Sequence, residues 1–212
     1  DSFELLYDFD LMQGGGHIRG WRVDGAQNAQ IEEAARALEK EGLAFAVGDG
    51  NHSLAAARRC WELSGEPLAR WALVEIVNVY DEALVFEPIH RAIFGGDAAS
   101  LRAALRARFP AGEGAALLCG GREEGFACGL AELQPLLDEW ARQNGAAIDY
   151  IHGADVARRL AAEGAASLLL PVIPKEELFA QVRLHGALPR KAFSMGAARD
   201  KRYYLECRRI RP

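Results

Sequence analysis

The sequence predicts an α+β fold, a mixed sheet with flanking helices, which residues 1–212 form as a single domain. Short apolar or alternating segments, typical of strands, are interspersed with segments whose apolar residues recur at helical spacing. The two kinds of segment do not alternate regularly enough for a doubly wound sheet of parallel strands. Half of the residues are hydrophobic, which is enough for a sizeable core without crosslinks.

About eight strands and six helices follow from these patterns. Strand character is found in residues 3–9, 18–23, 43–47, 70–80, 83–86, 148–152, 167–173 and 203–210, with a hairpin over 115–130. The predicted helices begin near Asn28, Ser53, Asp97, Ala131, Asp155 and Pro174. Segment 70–80 is apolar on both faces, which predicts a central strand. Pro88 lacks an N–H donor, so we expect strand 83–86 to end there and to display the side chains that follow.

The stretch that joins residues 43–47 to the second helix has the strongest functional pattern. A buried strand is expected to lead through Gly48 and Gly50 into a helix that begins near Ser53. The free N–H groups of a helix start attract anions, and glycine lets a ligand approach the backbone. Its polar residues are Asp49, Asn51, His52 and Ser53. The pattern fits both a phosphate site and an ordinary capped turn.

Five motifs resemble the bacterial and archaeal family called domain of unknown function 1015. They are LYDFDLMQGGGHI at residues 6–18, DGNHS at 49–53, LVFEPIHR at 84–91, IDYIH at 148–152 and LPRKAFSMG at 188–196. The family carries D-G-H-H-R where this chain has DGNHS. That segment is also similar, more distantly, to a loop of free serine kinases and of the ParB and sulfiredoxin-like superfamily.

The resemblance implies that the second helix start handles the phosphates of ATP or another nucleotide. Asn51 replaces the first histidine of the motif and Ser53 replaces its arginine. Loss of the arginine removes a bidentate phosphate partner, so the backbone N–H groups become the main donors. Gly50, Asn51 and Ser53 are then predicted to bind the ligand, with Asp49 or His52 as the proton acceptor.

A glycine loop and three carboxylates form a second predicted region. Gly14, Gly15 and Gly16 precede His17, and their small size suits the approach of a ligand to the backbone, although the spacing is not that of a P-loop. Three acids are candidate Mg²⁺ ligands, namely Asp8, Asp10 and Glu75. Asp8 and Asp10 could instead cap the turn, and Glu75 could instead pair with an arginine.

Two basic segments complete the predicted site. His90 and Arg91 combine a titratable ring with a permanent cation, and the resembling family carries P-x-H-R at this place. We expect His90 to take part in proton transfer and Arg91 to bind the anion. A further anion-binding segment contains Arg190, Lys191 and Ser194. All of these side chains are predicted to converge on one cleft.

Charge and cysteine spacing limit the choice of partners. A net charge of −5 argues against a nucleic-acid or membrane partner, and no apolar run approaches the length of a membrane helix. The four cysteines are far apart, which is typical of reduced thiols in the cytoplasm. The chain begins with Asp1 and members of the resembling family are longer, so we expect an N-terminal region of the same protein as a partner.

Two functional hypotheses fit these observations. The first is a small-molecule kinase or nucleotide hydrolase, with phosphate held at the second helix start. The second is a non-catalytic module that binds a nucleotide or another anionic metabolite. The acids and histidines favour the first, whereas Ser53 in place of arginine favours the second.

Overall fold

The protein is described by a computed structural model that covers residues 3–40, 42–196 and 205–210. These residues form six α-helices and eight strands, which confirms the α+β prediction. The chain divides into two compact units: unit 1 comprises residues 1–77 and 198–212, and unit 2 comprises residues 78–197. No described helix is long and apolar enough to cross a membrane.

Unit 1 begins with an antiparallel hairpin of β1 (Glu4–Asp10) and β2 (His17–Arg22). The hairpin is followed by α1 (Gly25–Lys40) and α2 (Asn51–Ser64). Tyr7 pairs with Gly20 across the hairpin and its ring lies where a Gly20 side chain would otherwise be. The aromatic ring thus covers a glycine that would weaken the strand.

Two predicted strands, one in unit 1 and one that extends from unit 1 into unit 2, are wrong. Residues 43–47 form no strand and are not buried, since the side chains of Phe45 and Val47 are each 50% exposed. Residues 70–80 contain no strand either, and Ile76 is 67% exposed. A strand needs a hydrogen-bonding neighbour, and no described strand pairs with either segment.

Unit 2 contains a larger antiparallel sheet. Its strand order is β5-β4-β7-β3-β6, and β8 pairs with the beginning of β3. The strands are β3 (Phe86–Phe94), β4 (Ala111–Cys119), β5 (Arg122–Phe126), β6 (Ala147–His152), β7 (Ala166–Leu169) and β8 (Phe193–Met195). Every described pair is antiparallel.

The core of unit 2 lies between the sheet and two helices. Helices α3 (Ala98–Arg108) and α4 (Leu130–Asn144) bury Leu101, Leu105, Leu133 and Leu137 completely. These side chains pack with sheet residues such as Leu168 in one cluster. Helix α5 (Ala154–Ala162) contacts β7, β3 and β6, and α6 (Leu178–His185) follows later in the chain.

The boundary prediction at Pro88 is wrong. Strand β3 does not end there but begins at Phe86 and runs to Phe94. Pro88 lies where β3 pairs with the short strand β8, opposite Phe193. His90 and Arg91 are therefore inside the strand that pairs with both β6 and β7, and they are not displayed at a strand end. Both residues are therefore buried in the sheet and not exposed at its edge.

The six helix predictions are confirmed, and each helix begins within a few residues of its predicted start. Asp97 caps α3 by accepting hydrogen bonds from the N–H groups of Ala99 and Ser100. Gly145 ends α4 with a φ of 59°, which only glycine adopts readily. The predicted closing strand, 203–210, lies partly outside the described residues, and residues 205–210 form no strand.

Candidate functional site

The start of α2 contains the residues at which the sequence predicts an anion site. Gly50 precedes the helix in the left-handed conformation, with φ 80° and ψ 17°, and no side chain of the described residues caps the helix start. The Gly50 N–H donates to Asp49 Oδ1 at 2.8 Å, and the Gly50 carbonyl accepts the first helical bond from Leu54 N–H. The intervening N–H groups have no partner within the helix, so they are available to a ligand.

The side chains at this start are exposed. Asn51, His52 and Ser53 are all accessible to solvent, and Asn51 Nδ2 makes a long hydrogen bond of 3.5 Å to the Val47 carbonyl. Asp49 is exposed as well and turns its Oδ1 toward the backbone of the loop. The partial positive charge of the helix start and these polar groups suit a phosphate oxygen.

The glycine loop at the hairpin tip is closed by a charged network. His17 Nε2 lies 2.6 Å from Asp8 Oδ1, and His17 Nδ1 lies 2.7 Å from Asp10 Oδ1. Arg19 Nε donates to the second oxygen of Asp8 at 2.7 Å. Each imidazole nitrogen faces a carboxylate oxygen, so the network is satisfied when both nitrogens carry a proton.

This network shifts the pKa of two groups in opposite directions. The hydrogen bond to Asp10, followed by that to Asp8, raises the pKa of His17. Partial desolvation tends to raise the pKa of Asp8, but the hydrogen bonds from His17 and Arg19 outweigh it and lower that pKa. The network therefore favours the imidazolium form of His17 and the carboxylate form of Asp8.

The predicted Mg²⁺ ligands do not fit a magnesium ion as they stand. Asp8 and Asp10 bind His17 and Arg19 through their oxygens. Glu75 lies in the exposed segment 71–77. Within the described residues, no three His, Cys, Asp or Glu side chains are grouped so that they could hold a metal. The alternative that these acids stabilise the turn is the one that the geometry favours.

Arg91 is a buried residue of unit 2. Its exposed fraction is 0%, and its guanidinium donates to Gln134 Oε1 at 2.8 Å and to the Ile89 carbonyl at 2.6 Å. Burial lowers the pKa of Arg91 to about 10. Gln134 in turn donates to Asp138 Oδ1 at 2.8 Å. The hydrogen bonds of Arg91 go to internal acceptors, and its role in anion binding stays a prediction.

His90 is buried on the same strand. It is 4% exposed, and its Nδ1 accepts a hydrogen bond from the Leu170 N–H at 3.1 Å. Burial, followed by the nearby charge of Arg91, lowers the pKa of His90. The ring is therefore neutral and helps to hold the backbone after β7. Its predicted part in proton transfer stays a prediction.

The basic segment after α6 is anchored to β6. Arg190 Nε donates to the Tyr150 hydroxyl at 2.8 Å, and the Arg190 carbonyl accepts from Arg91 Nη2 at 3.5 Å. Lys191 is exposed and has a φ of 57°, which is unusual for a residue other than glycine. Ser194 Oγ donates to the Gly196 carbonyl at 2.8 Å.

The structure thus groups the predicted residues within each unit. Unit 1 holds the α2 start and the hairpin network, and unit 2 joins Arg91 to Arg190 through a direct hydrogen bond. Sequence reasoning missed Arg19, Gln134 and Tyr150. Gln134 lies 43 residues from Arg91, so no local pattern could have linked them. The convergence of all predicted side chains on one cleft stays a prediction.

A family described as "Protein of unknown function (DUF1015)" matches residues 1–210. The chain belongs to this family. The match includes all five motifs at which the sequence resembles it. No curated protein matches the chain.

Three solved structures share the fold. A free serine kinase mutant in complex with ADP has a TM-score of 0.54 at 14% identity, over 79% of this chain and 80% of that chain. A conserved hypothetical protein from Pyrococcus furiosus has a TM-score of 0.55 at 16% identity, over 81% and 84%. Another free serine kinase mutant, in complex with AMP, has a TM-score of 0.51 at 14% identity, over 81% of each chain.

Proposed function

We propose that this protein binds a nucleotide or another phosphate-bearing small molecule, with a phosphate group at the start of α2. The observation that carries the proposal is the helix start itself. Gly50 adopts a left-handed conformation, and within the described part of the chain no side chain caps the N–H groups that follow it. A phosphate placed there would accept hydrogen bonds from the backbone and gain from the helix dipole.

The solved structures that share the fold support this proposal. Two of them are free serine kinases in complex with ADP or AMP, so the fold accommodates adenine nucleotides in those proteins. In this chain the DGNHS segment, at which the sequence predicts an anion site, leads into α2. We infer that a nucleotide is the ligand of this chain too.

A kinase or hydrolase activity is the catalytic form of the proposal. His52 and Asp49 are the exposed groups beside the helix start that could accept a proton from a hydroxyl group or water. The backbone would hold the transferred phosphate, and the first turn of the helix would stabilise its negative charge. Participation of Mg²⁺ stays a prediction, since the oxygens of Asp8 and Asp10 bind His17 and Arg19.

A non-catalytic nucleotide-binding module is the alternative, and one observation favours it. Ser53 replaces the arginine of the family motif, and a hydroxyl cannot neutralise the charge that develops during phosphoryl transfer.

We also place the protein in the cytoplasm, because Cys60 and Cys207 are free and exposed and would stay reduced there.

The proposal is tested by calorimetric titration of the protein with ADP, AMP and ATP. Asn51→Asp adds a negative charge to the α2 start without changing its shape, so nucleotide affinity should fall about tenfold or more, as for a lost hydrogen bond to a charged group. Asn28→Asp is the matched control, since Asn28 lies near the start of α1. Equal affinity of the two variants would refute the site. Phosphate release or transfer, measured with any nucleotide that binds, separates the enzyme from the binding module.

A further inference from the structure

We propose that unit 2 contains a second anion site, formed by Arg190 and Lys191 and held in place by Tyr150 and Arg91, that takes a phosphate group. The inference does not depend on the α2 start. It depends on a group of cations that have no carboxylate partner in the described part of the chain.

The first step is the buried charge of Arg91. Its guanidinium is inaccessible to solvent, and its hydrogen bonds go to neutral acceptors: Gln134 Oε1 and the carbonyls of Ile89, His90 and Arg190. No ion pair to Arg91 occurs among the described residues. A buried cation is costly unless an opposite charge compensates it. The carboxylate of Asp138 accepts a hydrogen bond from Gln134 and forms no ion pair with Arg91; burial lowers the pKa of Arg91 more than the charge of Asp138 raises it.

Acids are not scarce in this protein, which has a net charge of −5. Elsewhere in unit 2 some surface arginines are paired with acids, whereas others, such as Arg183, form no ion pair with a described residue. Arg106 binds Glu124, Arg142 binds Glu139 and Arg158 binds Glu123. In the described residues Arg190 and Lys191 form no such pair, although they lie beside another cation. Arg190 and Lys191 differ from those arginines because they lie next to a second, buried cation, Arg91, and a cluster of cations attracts an anionic ligand.

The second step is the fixed orientation of Arg190. Tyr150 is paired with Arg91 across β3 and β6, and its ring lies 4.5 Å from the Arg91 guanidinium carbon and 5.3 Å from that of Arg190. The Tyr150 hydroxyl accepts from Arg190 Nε, and Arg91 holds the Arg190 carbonyl. Both ends of Arg190 are thus anchored, while its terminal nitrogens bond no described residue. An arginine held in this way loses little entropy when it binds an oxyanion.

The third step is the conformation of Lys191. A φ of 57° is strained for lysine, and such strain is found preferentially at ligand sites. It places a second exposed cation directly after Arg190. Two exposed cations and the only partly compensated charge of Arg91 favour a dianion over a singly charged carboxylate. A phosphate group meets this requirement at neutral pH.

The test is a titration of the full chain with inorganic phosphate, followed through the Nε–H resonance of Arg190. Phosphate should shift this resonance to saturation, whereas acetate at equal ionic strength should not. Arg183 on α6 is exposed and serves as the internal control. If Arg190 responds no more than Arg183, or if acetate and phosphate act equally, the proposal is overturned.

Three variants are compared in the same phosphate titration. In Arg190→Gln, phosphate binding followed through the Lys191 amide should weaken about tenfold or more. Arg183→Gln should leave that binding unchanged. In Tyr150→Phe the Arg190 resonance should move before phosphate is added and binding should weaken, because the anchor is lost. Unchanged binding in Arg190→Gln would overturn the site. Because the signals come from unit 2 residues, their failure leaves the proposal for the α2 start intact.

Discussion

The imidazole of His17 illustrates how single residues acquire their roles in this protein. Its two nitrogens lie 2.6 Å and 2.7 Å from the oxygens of Asp8 and Asp10. A neutral ring has a hydrogen on only one nitrogen, so one of these contacts would become repulsive on deprotonation. The hairpin loop with Gly14, Gly15 and Gly16 is therefore closed most firmly when His17 is charged.

Asp10→Asn is expected to lower the pKa of His17, because it replaces the negatively charged acceptor that contributes most to raising that pKa with a neutral amide oxygen. The stabilising contribution of His17 is fully present below its unfolded-state pKa and is lost as the pH rises through the higher folded-state pKa. An NMR titration of the His17 ring measures the change. Glu33→Gln on the exposed surface of α1 is the control. An unchanged pKa in Asp10→Asn would contradict the geometry.

Arg91→Ala is expected to reduce the free energy of unfolding by at least about 2 kcal/mol, because Gln134 and three carbonyls lose a buried donor. Arg106→Ala is the comparison, since Arg106 forms an exposed bidentate pair with Glu124. Exposed pairs contribute about 0.2–1 kcal/mol. Urea denaturation of both variants gives the two values. Equal losses would show that Arg91 is not a structural residue.

Whether a helix or a strand can be predicted depends on whether the residues that determine it are close together in the sequence. Helices α3 and α4 follow from their apolar spacing together with the cap Asp97 and the terminator Gly145, all of which are adjacent in sequence. Segments 43–47 and 70–80 have strand composition, but their pairing depends on residues elsewhere, and they remain unpaired and exposed. The pairing of β3 with β6, β7 and β8 could not be predicted from the sequence either. For this reason His90 and Arg91 were predicted to lie at a strand end.

Gly96→Ala tests how tightly the β3–α3 connection packs on α4. A methyl group there would lie 2.6 Å from Trp140 Cη2, and φ is +72°. Gly121 in the β4–β5 turn has a φ of +71° with nothing within 4 Å. Both substitutions incur backbone strain of about 1–2 kcal/mol, and Gly96→Ala should lose about 1–3 kcal/mol more through overpacking. Urea denaturation measures the difference, and equal losses would contradict the packing.

At the scale of the whole molecule, the two units differ in burial. Unit 2 has a core of fully buried side chains, whereas no described residue of unit 1 is buried. The family and the fold class were predictable, because the five motifs and the element patterns extend along most of the chain. The division of the chain into two units was not predictable, because it depends on contacts between residues that are distant in the sequence. An N-terminal partner region and the absence of a nucleic-acid partner stay predictions.

We propose that a phosphate group binds the backbone at the start of α2. Titration of the ¹⁵N-labelled protein with ADP, followed through its backbone amides, tests it most directly. The amides of Asn51, His52 and Ser53 should shift to saturation, while those at the start of α1 should not. If ADP binds and leaves the α2 start unperturbed, or shifts residues around Arg106 instead, the account is contradicted.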